Sequence, residues 1–326
     1  MKEKQEREEK KVRKKKSCLK NILIFIAVLA AVLLAGWYVI VGGLYGKLTH
    51  QPIESLSAAP YKEDGVINVL LIGNDSRENG TDGRSDAMIL LSISDKTKTV
   101  HMTSLLRDMY VEIPGHDGNR LNAAYSYGGA ELLMETIELN LGIEVNRYAL
   151  VNFEAFASLV DAVGGVDLEL TNEEVQLVNG YLVEYNQLTN RSEGTDYMDE
   201  NASGLLHLNG PQALAYSRNR YIGTDFGRTE RQRKVLSAVI DNLPRALITD
   251  PAALIDGVLS NLTTNLTQGE VFKLSLQAWK LLGYDMVQSS IPLEGTYQNA
   301  SIRGMSVLEV DYAANQAYLK SALYGE

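Results

Sequence analysis

Gly65-Val66-Ile67-Asn68-Val69-Leu70-Leu71-Ile72-Gly73 is an apolar run rich in β-branched residues and closed at both ends by glycine. Such a run suits a central strand buried on both faces, since strict alternation is expected only where one face meets water. Met88–Ile93 and Val100–Leu105 read the same way, and Tyr148–Asn152 and Val166–Leu170 add two more. Helical patterns lie between them, over Ala130–Leu141 and over Phe153–Val163, which stops at Gly164-Gly165. Strands alternating with helices predict the α/β class: an α/β/α layered domain with a central mixed sheet. From Leu170 to Ser203 the chain turns polar with little periodicity, which predicts a variable surface excursion. The last third reads as mostly helical, over Arg228–Leu243, Pro251–Leu262 and Gly269–Leu282. A strand over Met286–Pro292 and a closing helix over Val307–Tyr324 complete it.

The N-terminus has a different character. The first twenty residues hold ten Lys/Arg and four Glu, and Ile22–Tyr45 then runs for 24 positions without a charge. About 20 apolar residues in a helix cross a hydrocarbon core. Trp37, Tyr38 and Tyr45 sit toward the outer end of the run, as interfacial aromatics do. The expectation is a basic cytoplasmic tail (1–21), a transmembrane helix (22–45), a linker (46–60) and an extracellular domain (61–326). A cleaved signal peptide competes, but its apolar core spans only about 7–15 residues. Of the 31 basic and 41 acidic residues, the first 47 hold eleven and four. The remainder therefore carries 20 basic against 37 acidic groups, net −17. So acidic a domain repels nucleic acid. The one cysteine, Cys18, precedes the apolar run, so the outer domain has no disulfide and depends on its core.

None of the four histidines, His50, His101, His116 and His207, is spaced for zinc, and no HExxH, CxxC, GxSxG or Walker-type loop is present. The chain shows no nucleophile of its own. Its chemistry-bearing groups are aspartates and arginines at strand ends, where α/β sheets bind ligands. Gly73-Asn74-Asp75-Ser76-Arg77 follows the first strand, and Gly83-Arg84-Ser85-Asp86 precedes the second. Asp75 and Asp86 share one sheet edge if those strands are antiparallel. Two carboxylates with phosphate oxygens suit Mg²⁺, with Mn²⁺ as the alternative. Read singly, each is equally a turn former.

Arg107-Asp108 follows the third strand, and Arg120-Leu121-Asn122-Ala123-Ala124-Tyr125 comes next, with Asn122 a candidate helix cap. The densest cluster is Tyr216-Ser217-Arg218-Asn219-Arg220, continuing to Asp225, Arg228, Arg231, Gln232 and Arg233. Arg218 and Arg220 share a face if extended, and Arg228, Arg231 and Gln232 share a helix face. A cluster of permanently charged, fork-shaped donors asks for an anion such as phosphate. The competing reading is a solvated helix with weak surface pairs through Glu230 and Lys234.

These motifs, in this order and behind an apolar anchor, resemble the LytR-CpsA-Psr family over roughly Val66 to Leu243. The resemblance implies a bacterial, Mg-dependent phosphotransferase in the cell membrane, single-pass, its N-terminus cytoplasmic and its catalytic domain extracellular. Its implied partners are an undecaprenyl-pyrophosphate-linked glycopolymer (wall teichoic acid, capsule or similar), peptidoglycan and the cytoplasmic membrane. Carried over by residue, Asp75 and Asp86 resemble the magnesium aspartates. Arg84, Arg107, Arg218 and Arg220 resemble the pyrophosphate arginines. Asp225, Arg228 and Gln232 match the third motif. Arg120 stands where the family often has lysine, and Leu106 where proline is common. The acceptor sugar hydroxyl would attack, with Asp75 or Asp225 accepting its proton. The apolar helices, Phe153–Val163 and Val235–Leu243 among them, either wall a prenyl pocket or pack as ordinary core. Two rivals remain: a polyprenyl-pyrophosphate hydrolase, and a non-catalytic polyprenyl-phosphate-binding regulator of the cell envelope.

Overall fold

A computed structural model describes residues 29–56, 58–74, 85–219, 222, 225–250, 252–253, 259 and 262–326. Asp75, Arg84 and Arg220 lie outside the described residues, and Asp86 is described in its backbone only. Residues 1–46 and 47–326 form two compact units. In the first, residues 29–45 are helical, and residues 22–28 of the expected span lie outside the described residues. Among the described residues no helix is long and apolar enough to cross a membrane.

The second unit begins with β1 (Thr49–His50), β2 (Val66–Asn74), β3 (Ser85–Ser94), β4 (Thr99–Leu105), β5 (Tyr110–Val111) and β6 (Asn119–Arg120). Next come α1 (Leu121–Leu141), β7 (Arg147–Asn152), α2 (Phe153–Ala162), β8 (Val166–Leu170) and α3 (Asn172–Leu188). β9 (Gly204–Leu208), α4 (Gly210–Arg218), α5 (Asp225–Thr249), β10 (Leu262–Thr264) and α6 (Gln268–Gln277) follow. β11 (Asp285–Ile291), β12 (Tyr297–Ile302), β13 (Met305–Val310) and α7 (Tyr312–Tyr324) close the chain.

Seven strands form the mixed central sheet in the order β1-β10-β7-β2-β3-β4-β11. β2 pairs antiparallel with β3 and parallel with β7, while β4 pairs antiparallel with β3 and parallel with β11. The carboxyl ends of β2, β7, β4 and β11 and the start of β3 therefore share one edge. The doubly apolar reading of the central strands holds, since both faces of β2 are covered. Leu70, Ile72, Met88 and Leu90 pack against Leu133, Met134 and Ile137 of α1 and Leu319 and Leu323 of α7. Ile67, Val69, Ile89 and Met102 are also buried, from the opposite face. On that side α2 to α5 and the β8–β9 ribbon build a second core around Val160, Val178, Leu182, Val235 and Leu208. α5 is fastened to the sheet by Arg233. Its Nη1 donates to Ser104 Oγ of β4 (2.7 Å) and Ser290 Oγ of β11 (2.8 Å).

Several expectations are corrected. The polar excursion after Leu170 contains α3, which starts at a capping box of Thr171 and Glu174. Its buried stripe is Val175, Val178, Asn179, Leu182 and Asn186. The two asparagines hide the periodicity, and they are buried because they bond Met198 and the Thr195 carbonyl in the following loop. Val166–Leu170 is a strand, but it pairs with β9 outside the central sheet. The closing helix starts at Tyr312, behind the Asp311 cap. Val307 belongs instead to the β12–β13 hairpin, turned by Arg303 (φ 54°) and Gly304 (φ 78°), the positive-φ pair a two-residue hairpin needs. Ala130–Leu141 is helical, but α1 already starts at Leu121 and breaks its φ/ψ at Gly128 and Gly129. Of Pro251–Leu262, residues 252–253 are helical and Leu262 opens β10.

Gly210 sets the seat of α4. Its N–H donates to Asp161 Oδ1 at 2.6 Å, and a Cβ there would collide with the Ala157 carbonyl of α2. Gly210→Ala is expected to cost about 1–3 kcal/mol by overpacking. Gly180→Ala, on α3 with open space around it, is expected to stabilise by about 0.4–1 kcal/mol. Urea unfolding of both variants checks the opposite signs, and equal shifts would contradict this packing.

Candidate functional site

The site is built on the carboxyl edge of the sheet. β4 ends at Leu105, and Leu106 N–H donates to the Ile291 carbonyl (2.9 Å), continuing the contact with β11. A proline at 106 could not make that bond. Its side chain is buried, so Leu106 holds the turn by packing and a backbone bond. Arg107 and Asp108 follow at once.

α1 starts beneath this turn. Leu121 N–H donates to Met109 O (2.9 Å) and Asn122 N–H to Arg107 O (3.3 Å). The cap of α1 is Arg120, without a side-chain cap bond, so Asn122 is not the cap. The Asn-Ala-Ala-Tyr motif has another physical role. Tyr125 is buried and pairs with Asn74, whose Nδ2 donates to the Tyr125 hydroxyl at 3.3 Å. That contact pins the last residue of β2, directly before Asp75.

The first turn of α5 completes the cluster. Asp225 Oδ1 lies 3.2 Å from Arg228 Nη2 and 3.7 Å from Arg107 Nη2. Asp108 lies 3.6 Å from Arg107 Nε and 3.6 Å from Arg120 Nη1. Asp225 is also a near neighbour of Asp108. Burial pushes the Asp108 carboxyl up, and Asp225 beside it pushes the same way, against Arg107 and Arg120. Arg107, Asp108, Arg120 and Asp225 line a cleft of about 380 Å³, together with Phe226 and residues of the β12–β13 hairpin. Two carboxylates stand against three guanidinium groups, Arg107, Arg120 and Arg228, so positive charge is in excess, which favours an anionic ligand.

The remaining residues divide. Arg218 ends α4, so its segment is helical there rather than extended. Its guanidinium sits 4.3 Å from the Phe153 ring centroid and 5.7 Å from that of Tyr181. Phe153 directly follows β7, so Arg218 stands at the same sheet edge as Asn74, whose register partner is Asn152. Gln232 lies one helical turn beyond Arg228, with a buried Oε1 that has no donor among the described residues. Arg231 does not join the anion face. Its Nη2 donates to Asn219 O (2.7 Å) and Ile222 O (3.1 Å), bracing the loop after Arg218. Arg233 faces the sheet. The expected shared face of Arg228, Arg231 and Gln232 is thus corrected to Arg228 and Gln232.

For a metal, no group of three or more His, Cys, Asp or Glu side chains gathers among the described residues. The described backbone bears on Asp86 and on the strand end before Asp75. Asn74 pairs with Ser85 and Gly73 with Ala87, so Asp86 is the extra residue of a β-bulge, one position from the strand end that leads to Asp75. Bulges concentrate beside active sites. Gly73 allows the close approach, since a Cβ there would meet Ala87 Cβ at 3.0 Å. Sequence reasoning gave Asp108 no role of its own. Its adjacency to Arg107 at a strand end was the available signal.

The LytR_cpsA_psr family model matches residues 45–321. The chain belongs to this family. Among its relatives is the polyisoprenyl-teichoic acid–peptidoglycan teichoic acid transferase TagU of Bacillus anthracis. It is 32% identical over 276 residues, 78% of this chain and 82% of that protein. The TagU of Enterococcus faecalis is 35% identical over 216 residues, 64% of this chain and 65% of its own length. Among solved structures, TagT bound to LI-WTA superposes with a TM-score of 0.65 at 27% identity, covering 84% of this chain and 99% of that one. TagT with bound octaprenyl pyrophosphate lipid gives a TM-score of 0.61 at 25% identity, over the same shares. The mixed α/β architecture of this LytR_cpsA_psr chain is that of these structures.

The Asp108–Asp225 pair yields a pH prediction. A carboxyl whose folded pKa is raised holds its proton more tightly folded than unfolded. Its contribution is present at low pH and is lost as pH rises from the ordinary aspartate range through the higher folded value. Asp225→Asn should move the Asp108 carboxyl down, though not fully, because burial remains. Carboxyl ¹³C NMR titration reads this directly, and an unmoved Asp108 would show that the pair is not coupled.

Proposed function

We propose that this chain is a membrane-anchored phosphotransferase that moves an anionic glycopolymer, wall teichoic acid, capsule or a similar polymer, from undecaprenyl pyrophosphate to peptidoglycan. The apolar run Ile22–Tyr45 would be the anchor, with the basic tail in the cytoplasm and the domain outside. The single observation that carries the reading is the cleft lined by Arg107, Asp108, Arg120 and Asp225, with the buried Arg228 paired to Asp225. The names of the TagU relatives and the lipid pyrophosphate bound by TagT support it.

The chemistry follows from the donors. Guanidinium forks meet the pyrophosphate oxygens and take up the charge that grows on the departing lipid phosphate. The acceptor hydroxyl forms a bond to the phosphorus that carries the polymer, and the bridging bond to the lipid phosphate breaks. The hydroxyl proton passes to the carboxylate pair, which the raised Asp108 value suits to the task better than an ordinary carboxylate. Arg218, stacked on Phe153, guards the same edge on the β7 side. Arg84 and Arg220 are proposed pyrophosphate ligands on the sequence alone, and Gln232 completes that group. Asp75 and Asp86 are the residues that would hold magnesium or manganese, which when bound offsets charge on the pyrophosphate oxygens.

Arg107→Ala is expected to lower polymer transfer by about 10²–10³ while the circular dichroism spectrum stays that of the parent. The assay is run on the full chain with lipid-linked polymer, with and without peptidoglycan. Undiminished transfer by Arg107→Ala would sink the proposal, and lipid release of equal rate without peptidoglycan would make the chain a hydrolase.

A further inference from the structure

Arg218 is held differently from the other arginines at the sheet edge. Arg107, Arg120 and Arg228 each stand against Asp108 or Asp225. Arg231 reaches Glu174 and two backbone carbonyls, and Arg233 reaches two serines. Among the described residues, no carboxylate pairs with Arg218 and its guanidinium makes no hydrogen bond. Two aromatic rings stand in that place. The guanidinium carbon lies 4.3 Å from the Phe153 ring centroid and 5.7 Å from that of Tyr181. Both distances fall within the roughly 6 Å over which a ring face attracts a cation.

Each ring is fixed by its own element. Phe153 opens α2, and the Asn152 side chain caps that helix by accepting from Ala155 N–H at 2.8 Å. Tyr181 precedes the buried Leu182 on α3, and its hydroxyl donates to the Arg218 backbone carbonyl at 3.0 Å. Tyr181 therefore holds the main chain of Arg218 with its hydroxyl and the side chain with its ring. A carboxylate could orient the guanidinium as well, but it would occupy the donors that a phosphate needs. A ring face attracts the cation through its quadrupole and leaves the five N–H donors at the guanidinium rim available.

We propose that Phe153 and Tyr181 are positioning residues for Arg218, holding its guanidinium as an anion receptor that no neighbouring carboxylate neutralises. The inference rests on the pyrophosphate reading of Arg218 and deepens it. Arg107, Arg120 and Arg228 share their charge with Asp108 and Asp225. Arg218 takes a phosphate without first releasing a protein anion, and neither ring has to touch the pyrophosphate itself.

The test is a double-mutant cycle in the full chain, read as the affinity for octaprenyl pyrophosphate. Phe153→Leu and Tyr181→Leu each remove a ring, while Tyr181→Phe keeps the ring and loses only the hydroxyl bond. Tyr185→Leu is the control, since it removes a ring that faces Arg191 one turn further along α3. Each ring loss at 153 or 181 is expected to weaken binding by about tenfold. Tyr181→Phe and Tyr185→Leu are expected to bind as the parent does. In an Arg218→Ala background the same two ring losses are expected to have no further effect, because they act through the guanidinium. If Phe153→Leu does not fold, Tyr181→Leu carries the cycle alone. Unchanged affinity in the ring variants overturns the positioning role. So does an equal loss with and without Arg218, which would mean that the rings meet the lipid themselves. If Arg218→Ala alone leaves the affinity unchanged, the pyrophosphate reading of Arg218 fails and the positioning role falls with it, a result distinct from the other two.

Discussion

Asp225 is held between two arginines from different parts of the fold, Arg228 on its own helix and Arg107 at the end of β4. That contact joins the start of α5 to the sheet edge, and the remaining site geometry follows from it. A carboxylate between two guanidinium groups stays in place only if both cations are fixed. Arg107 is fixed by the Leu106 turn against β11. α5 is fixed two turns further on by Arg233, whose buried guanidinium reaches Ser104 and Ser290. Burial pushes the Arg233 guanidinium down, so its desolvation is a cost the fold bears to hold helix and sheet together.

The arginines that look like one cluster in the sequence have three separate tasks. Arg228 faces the carboxylate pair, Arg231 braces the loop that carries Asn219 and Ile222, and Arg233 faces the sheet. Only the first pairs with a carboxylate that lines the cleft. The anion site gains its other charges from distant segments, Arg107 after β4 and Arg120 at the start of α1. The site is thus assembled from a strand end, a helix start and a second helix, and the proposed pyrophosphate would be met from several sides.

The central strands were legible because burial on both faces leaves an uninterrupted apolar run, as in Val66–Ile72. The antiparallel pairing of β2 and β3, on which the shared edge of Asp75 and Asp86 depended, is present. α3 was not legible, because Asn179 and Asn186 occupy buried positions that the pattern reserves for apolar residues. The β12–β13 hairpin was missed because Val307 to Tyr324 is too mixed for its period-two start to stand out. With it went one wall of the cleft. Arg107, Arg120, Asp225 and Arg228 were marked by charge and position, and they converge. Asp108 could be valued only once Asp225 was seen beside it, since its raised proton affinity comes from burial and from that neighbour.

The central claim is that the arginines around Asp225 exist to receive a lipid pyrophosphate. A crystal structure of the full chain with octaprenyl pyrophosphate tests it most directly. The account predicts phosphate oxygens within about 2.7–2.9 Å of guanidinium nitrogens of Arg107 and Arg228, as charge-assisted bonds require, with the polymer-bearing phosphorus beside the Asp108–Asp225 pair. A pyrophosphate bound elsewhere, with Asp225 still holding both arginines as it does now, would contradict it.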